Sequence, residues 1–125
     1  MKILIADDEE LVRSSLAGIL KKGGDFEVDF AFDGEEALNK IKTVFYDAAV
    51  LDLMMPKLDG YEVLIRLREI HPDLPVIFIT GKATEAKKIE ESITHHNLNA
   101  FIEKPFTPDE VLDVITKAVQ INRKK

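Results

Sequence analysis

The sequence has no cysteine, which excludes a disulfide framework and thiolate metal ligands. No apolar run approaches the roughly 18–20 residues that span a bilayer. The first residues, MKILIADDEE, turn acidic too soon for a secretory signal. A soluble, cytoplasmic protein with no membrane partner is therefore expected. Excess positive charge is also missing: 17 lysines and arginines face 23 aspartates and glutamates, a formal net charge of −6. Direct nucleic-acid binding by this chain is not expected on that balance. The one basic cluster, Arg123-Lys124-Lys125, reads as favourable charge at a helix C-terminus. There is no internal linker, repeat or low-complexity segment. The 125 residues fit one domain, 1–125, long enough to bury a core without staples.

What is present is alternation of short apolar runs with helical patterns. KILIA (2–6) reads as a strand, and Val12, Leu16, Ile19 and Leu20 then keep helical spacing up to Gly23-Gly24. FEVDFAF (26–32) alternates as a strand, Asp33-Gly34 turns, and Ala37, Leu38, Ile41 and Phe45 share a helical face. DAAVLD (47–52) is a third strand. Asp59-Gly60 opens a helix carrying Val63, Leu64, Leu67 and Ile70, which ends before His71-Pro72. PVIFIT (75–80) is a fourth strand, followed by a polar helix around Ala86, Ile89 and Ile93. NAFIE (99–103) is a fifth, and Thr107-Pro108 starts a last helix along Val111, Leu112, Ile115 and Val119. Five βα units in a row predict a single α/β domain with a parallel sheet covered on both faces. Strands one and four, almost wholly apolar, are expected at its centre.

In open parallel sheets, ligands gather at the carboxyl ends of the strands. Here strand one ends in Asp7-Asp8, strand three in Asp52, strand four in Thr80-Gly81 and strand five in Lys104-Pro105. Each has a plain reading: Asp7-Asp8-Glu9-Glu10 suits a helix N-terminus, Thr80 can cap a turn, and Lys104 can be a solvated charge. Asp52 is harder to dismiss, because it follows a buried run and the Met54-Met55-Pro56 loop offers it no obvious partner. The plain readings also predict scatter, whereas all these groups fall on one rim. Three close carboxylates repel, and all-oxygen ligation selects a hard cation, Mg²⁺ above all. A lysine and a hydroxyl facing that ion would cradle a phosphoryl group, with an aspartate as nucleophile for an acyl phosphate.

DDEELVR (7–13), VLDLMMPKLDG (50–60), FITG (78–81) and FIEKPF (101–106), in that order and spacing, resemble the receiver domain of bacterial response regulators. The resemblance implies a doubly wound, flavodoxin-like sheet of order 2-1-3-4-5, the order of the chemotaxis regulator. It implies a phosphorylation-dependent switch of two-component signalling rather than an enzyme with turnover. Asp52 would be the phospho-acceptor. Asp8 and Asp52 would ligate Mg²⁺ by side chain, Asp7 mostly through water and Met54 by its backbone carbonyl. Thr80 and Lys104 would contact the phosphoryl oxygens, Phe101 would be the aromatic switch, and the Lys104–Pro105 bond would be cis. The donor would be a phosphohistidine on a sensor histidine kinase or a histidine phosphotransfer protein. The recipient would be a downstream protein or output domain, reached through the face of helix four, strand five and helix five.

Two features depart from the pattern. The stretch from Thr80 to Lys104 is longer than the resemblance implies, and HHNLNAF (95–101) replaces the usual Gly-Ala before strand five. Met54 and Lys82 hold the variable positions that flank the phosphoryl group and should set its lifetime. An aspartate-nucleophile phosphatase would need a second acid at position 54, where methionine stands. A flavin or nucleotide binder would need a glycine-bearing loop after strand one, and ADDEE (6–10) has none. A receiver that no longer accepts phosphate is disfavoured by the intact pocket positions. His95-His96 reads as an exposed helix end and Met54-Met55 as loop packing.

Overall fold

The computed structural model describes residues 1–81 and 86–123, with side chains to residue 120. Lys82 and the side chains of the basic terminal cluster lie outside the described residues. Strands β1 (Lys2–Ala6), β2 (Glu27–Ala31), β3 (Ala48–Asp52), β4 (Val76–Thr80) and β5 (Ala100–Glu103) alternate with five helices. These are α1 (Glu10–Gly23), α2 (Gly34–Thr43), α3 (Gly60–Ile70), α4 (Ala86–His95) and α5 (Pro108–Arg123). The sheet runs β2-β1-β3-β4-β5 and every neighbouring pair is parallel. The winding reverses between β1 and β3, which puts the switch point at their carboxyl ends.

Alternate residues of the interior strands β1, β3 and β4 feed two cores. Leu4, Ala6, Ala49, Leu51, Val76 and Phe78 meet Leu38, Ile41, Val63, Leu64 and Ile89 of α2, α3 and α4. Ile3, Ile5, Val50, Ile77 and Ile79 meet Leu16, Leu20, Val111 and Ile115 of α1 and α5. Each leucine, isoleucine, valine or phenylalanine among them, taken fully out of water, contributes about 1.5–3 kcal/mol. β1 and β4 are interior strands, as expected, and flank β3 in the middle. All five β3 residues are buried, its terminal aspartate included. Small Ala48 and Ala49 weaken its apolar signature without weakening its burial.

Helix α2 stops sooner than the periodic pattern suggests. Val44 is extended at φ −124° and ψ 138°. The β-branched residue leaves the helix, so Phe45 loses its place on the apolar stripe and is 77% exposed. Tyr46 turns inward instead and donates its hydroxyl to Asp29 Oδ2 at 2.8 Å. Burial, with Asp29 beside it, pushes the Tyr46 hydroxyl well above the ordinary tyrosine value.

The other helix ends follow their local chemistry. Asp59 caps α3 with a capping box closed by Glu62. Thr107 Oγ1 accepts from the Glu110 N–H at 3.2 Å, ahead of Pro108 at the first position of α5. Past α4, Asn97 takes a left-handed φ of 54°, and the Leu98 N–H returns to the Ser92 carbonyl at 3.1 Å. Arg68 of α3 holds that turn, donating to the carbonyls of His96, His71 and Asn97 at 2.8–2.9 Å. Burial lowers the Arg68 guanidinium to about 10.

Two glycines fix the loop after β3. A Cβ on Gly34 would stand 1.8 Å from the Leu58 carbonyl oxygen, and one on Gly60 2.6 Å from that of Asp52. Backbone bonds Gly60 N–H to Leu53 O (3.1 Å) and Gly34 N–H to Pro56 O (3.4 Å) hold the contacts.

Candidate functional site

The carboxyl ends of β1, β3 and β5 bring Asp7, Asp52 and Lys104 together. Asp7 and Asp52 are almost wholly buried, at 1% and 4% exposure. Lys104 Nζ lies 3.3 Å from Asp52 Oδ2, 3.7 Å from Asp7 Oδ2 and 3.7 Å from Glu9 Oε1. Asp7 Oδ1 accepts from the Glu9 N–H at 2.8 Å. Its other oxygen, buried, makes no hydrogen bond. Asp52 Oδ1 does find a partner in the loop: the Met54 N–H donates to it at 3.0 Å. The partner is main chain, which a reading of side-chain types passes over.

One oxygen each from Asp7, Asp8, Glu9 and Asp52 lies within 4.8 Å of the others. Asp8 and Glu9 are exposed, so the cluster opens to solvent on that side. This acidic cluster can hold a metal ion. Its fit is chemical as well as geometric, because a buried carboxylate oxygen without a donor is a strained arrangement that a hard cation would relieve. Glu9 is the member that sequence reasoning absorbed into a helix start. Its position directly after Asp7-Asp8 was the available signal.

The electrostatics agree with crowding. Burial drives the Asp7 carboxyl up to about 7, Asp52 adds to the rise, and the Glu9 N–H and Lys104 only partly oppose it. For Lys104, burial works against the charge, but Asp52, Asp7 and Glu9 together hold its ammonium above the ordinary lysine value.

Thr80 ends β4 and is buried, at 3% exposure. Its carbonyl accepts from the Lys104 N–H at 2.8 Å, tying the ends of β4 and β5 together. The Lys104–Pro105 bond is cis. Between Thr80 and Phe101 lies a cavity of about 410 Å³, walled also by Ala86, Ile89 and Ile93 of α4. Phe101 stands at its outer edge, 40% exposed. Met54 is exposed and Met55 buried against the α2–α4 core. His95 is exposed at the end of α4, and His96 packs edge-on against Tyr61.

Residues 3–116 match the family described as the response regulator receiver domain. Among similar proteins, the transcriptional regulatory protein DltR of Streptococcus agalactiae is 37% identical over 112 residues, covering 90% of this chain and 49% of its own length. The response regulator MprA of Mycobacterium avium is 38% identical over 112 residues, covering 90% and 48%. The chain thus spans about half the length of these relatives. A CheY-like receiver domain from Methanospirillum hungatei superimposes with a TM-score of 0.90 at 30% identity, covering 98% of this chain and 96% of that one. Among the described residues no helix is long and apolar enough to cross a membrane. Sequence, strand order and the acidic rim converge on one assignment: the chain belongs to the response regulator receiver family and is a phosphorylation-switched domain of two-component signalling.

Proposed function

We propose that residues 1–125 form one receiver domain in which Asp52 accepts a phosphoryl group from a phosphohistidine. The donor is a sensor histidine kinase or a histidine phosphotransfer protein, and the setting is the cytoplasm. The observation that carries the reading is the Lys104 ammonium at 3.3 Å from a buried Asp52 carboxylate, beside an Asp7 oxygen that has no donor.

In the transfer, one Asp52 oxygen attacks phosphorus and the P–N bond breaks. Its electron pair returns to the imidazole, which leaves neutral when its other ring nitrogen carries the proton. The Met54 N–H holds Asp52 Oδ1 and orients the carboxylate. Lys104 and the Thr80 hydroxyl supply positive charge and a donor to the phosphoryl oxygens. Asp7, Asp8, Asp52 and the Met54 carbonyl would hold Mg²⁺. When bound, the ion neutralises the charge that builds on the transferring group.

The switch is read the same way. Drawing the Thr80 hydroxyl toward the phosphoryl group frees space on the cavity side, and Phe101 moves into it. This changes the face of α4, β5 and α5 that meets a downstream protein or an output domain. Acetyl phosphate with Mg²⁺ should add one phosphoryl mass to the chain, and Asp52→Asn should abolish it. Undiminished labelling of the Asn variant would end the assignment of Asp52.

A further inference from the structure

Glu9 stands where a helix N-cap stands, yet it does not cap. Its backbone is extended at φ −94° and ψ 118°, and its side chain accepts no capping hydrogen bond. The side chains that ordinarily fold back onto the free N–H groups of the first turn are the short ones of Ser, Thr, Asp and Asn, and glutamate is not among them. Here the first-turn charge is carried by Glu10, and Glu9 turns into the rim instead. Its Oε1 reaches Lys104 Nζ at 3.7 Å, and one of its oxygens lies within 4.8 Å of ligand atoms on Asp7, Asp8 and Asp52. Beside it, the buried Asp7 Oδ2 makes no hydrogen bond. Four carboxylates thus face one ammonium, and the excess is negative even after Lys104 is counted.

We infer that Glu9 is a fourth carboxylate of the cation site, contributing its charge to a hard divalent ion held by Asp7, Asp8 and Asp52. The inference rests on the reading of that cluster as a cation site. Glu9 leaves the helix without a side-chain cap and places its carboxylate on the pocket side, a placement that serving the helix dipole alone would not require. Being exposed, it can leave Lys104 for the ion without opening the core.

The test is a titration of the full chain with Mn²⁺ as probe, free ion being read by electron paramagnetic resonance. Parent, Glu9→Gln and Glu10→Gln are compared. The two variants lose the same formal charge one residue apart, and neither side chain is buried. Glu9→Gln should weaken Mn²⁺ binding about three- to tenfold, the scale of one carboxylate near a divalent ion under solvent screening. Glu10→Gln should stay within about twofold of the parent. Equal binding by both variants overturns the role of Glu9 and leaves the cation site standing. No saturable binding by the parent overturns the cation site and the inference with it.

Discussion

Replacing Asp7 by asparagine should stabilise the metal-free protein, and by more as the pH rises. The Asp7 carboxyl is pushed up to about 7 from 3.8 in the unfolded chain, chiefly by burial. Below the unfolded value it is protonated in both states and costs nothing. Between the two values the unfolded chain releases a proton that the folded chain keeps, so stability falls as pH rises. Above about pH 7 the loss is complete. A separation of about 3 units corresponds to about 4 kcal/mol. Local relaxation lowers that ceiling, so a loss of about 2–4 kcal/mol is expected between about pH 4 and pH 8. With a urea slope of about 2 kcal/mol per molar, the midpoint should move by about 1–2 M. The assay is urea unfolding in chelator across that range, followed by circular dichroism. Subtracting the two curves cancels the histidines and the other groups that do not interact with Asp7. Asp7→Asn should lack the loss and exceed the parent at high pH. Added Mg²⁺ should reverse the ranking, because an ion bound only by the folded state adds stability to the protein that holds it. Parallel pH curves for parent and variant in chelator would show that Asp7 titrates normally and that the rim is not under charge strain.

Gly60→Ala should destabilise the fold by about 1–3 kcal/mol, since its Cβ would stand 2.6 Å from the Asp52 carbonyl oxygen; urea unfolding checks this, and a neutral result would mean that the loop yields easily. Phe101→Ala should leave phosphorylation of Asp52 nearly intact. It should also weaken the beryllofluoride-dependent change in amide exchange on α4, β5 and α5, because apolar burial of the ring, about 1.5–3 kcal/mol, drives its inward movement; a full response would make Phe101 a packing residue only.

The strands were legible because a buried parallel strand is a short apolar run with sharp polar ends, and the polar ends are the site. Val76–Thr80 announces itself in this way, and so does Asp52 after Val50-Leu51. The interior places of β1 and β4 were legible from their apolar runs, whereas the middle place of β3 came only with the resemblance, because burial at Ala48-Ala49 comes from neighbours rather than from side-chain size. Phe45 fell off the expected apolar face because helical periodicity runs on in the sequence after Val44 has already left the helix. The Met54 N–H that meets Asp52 belongs to the main chain, which every residue carries and no motif marks. Glu9 was hidden by an adequate second explanation, the preference of helix starts for acids.

Arg68 fixes the C-terminal end of α4 to α3. Its guanidinium grips the carbonyls of His96 and Asn97, just past the last turn, and that of His71 at the end of α3. At 1.5 Å per residue the ten residues Ala86–His95 extend about 15 Å from that fulcrum. A tilt of about 10° there carries the opposite end about 2.5 Å while the gripped turn hardly moves. That end walls the space between Thr80 and Phe101, and it too is tied to α3: Lys88 Nζ meets Asp59 Oδ2 at 3.0 Å and the Tyr61 hydroxyl donates to Glu91 Oε2 at 3.3 Å. Any such tilt beside Thr80 would have to stretch the Lys88–Asp59 and Tyr61–Glu91 contacts while the turn gripped by Arg68 stays in place.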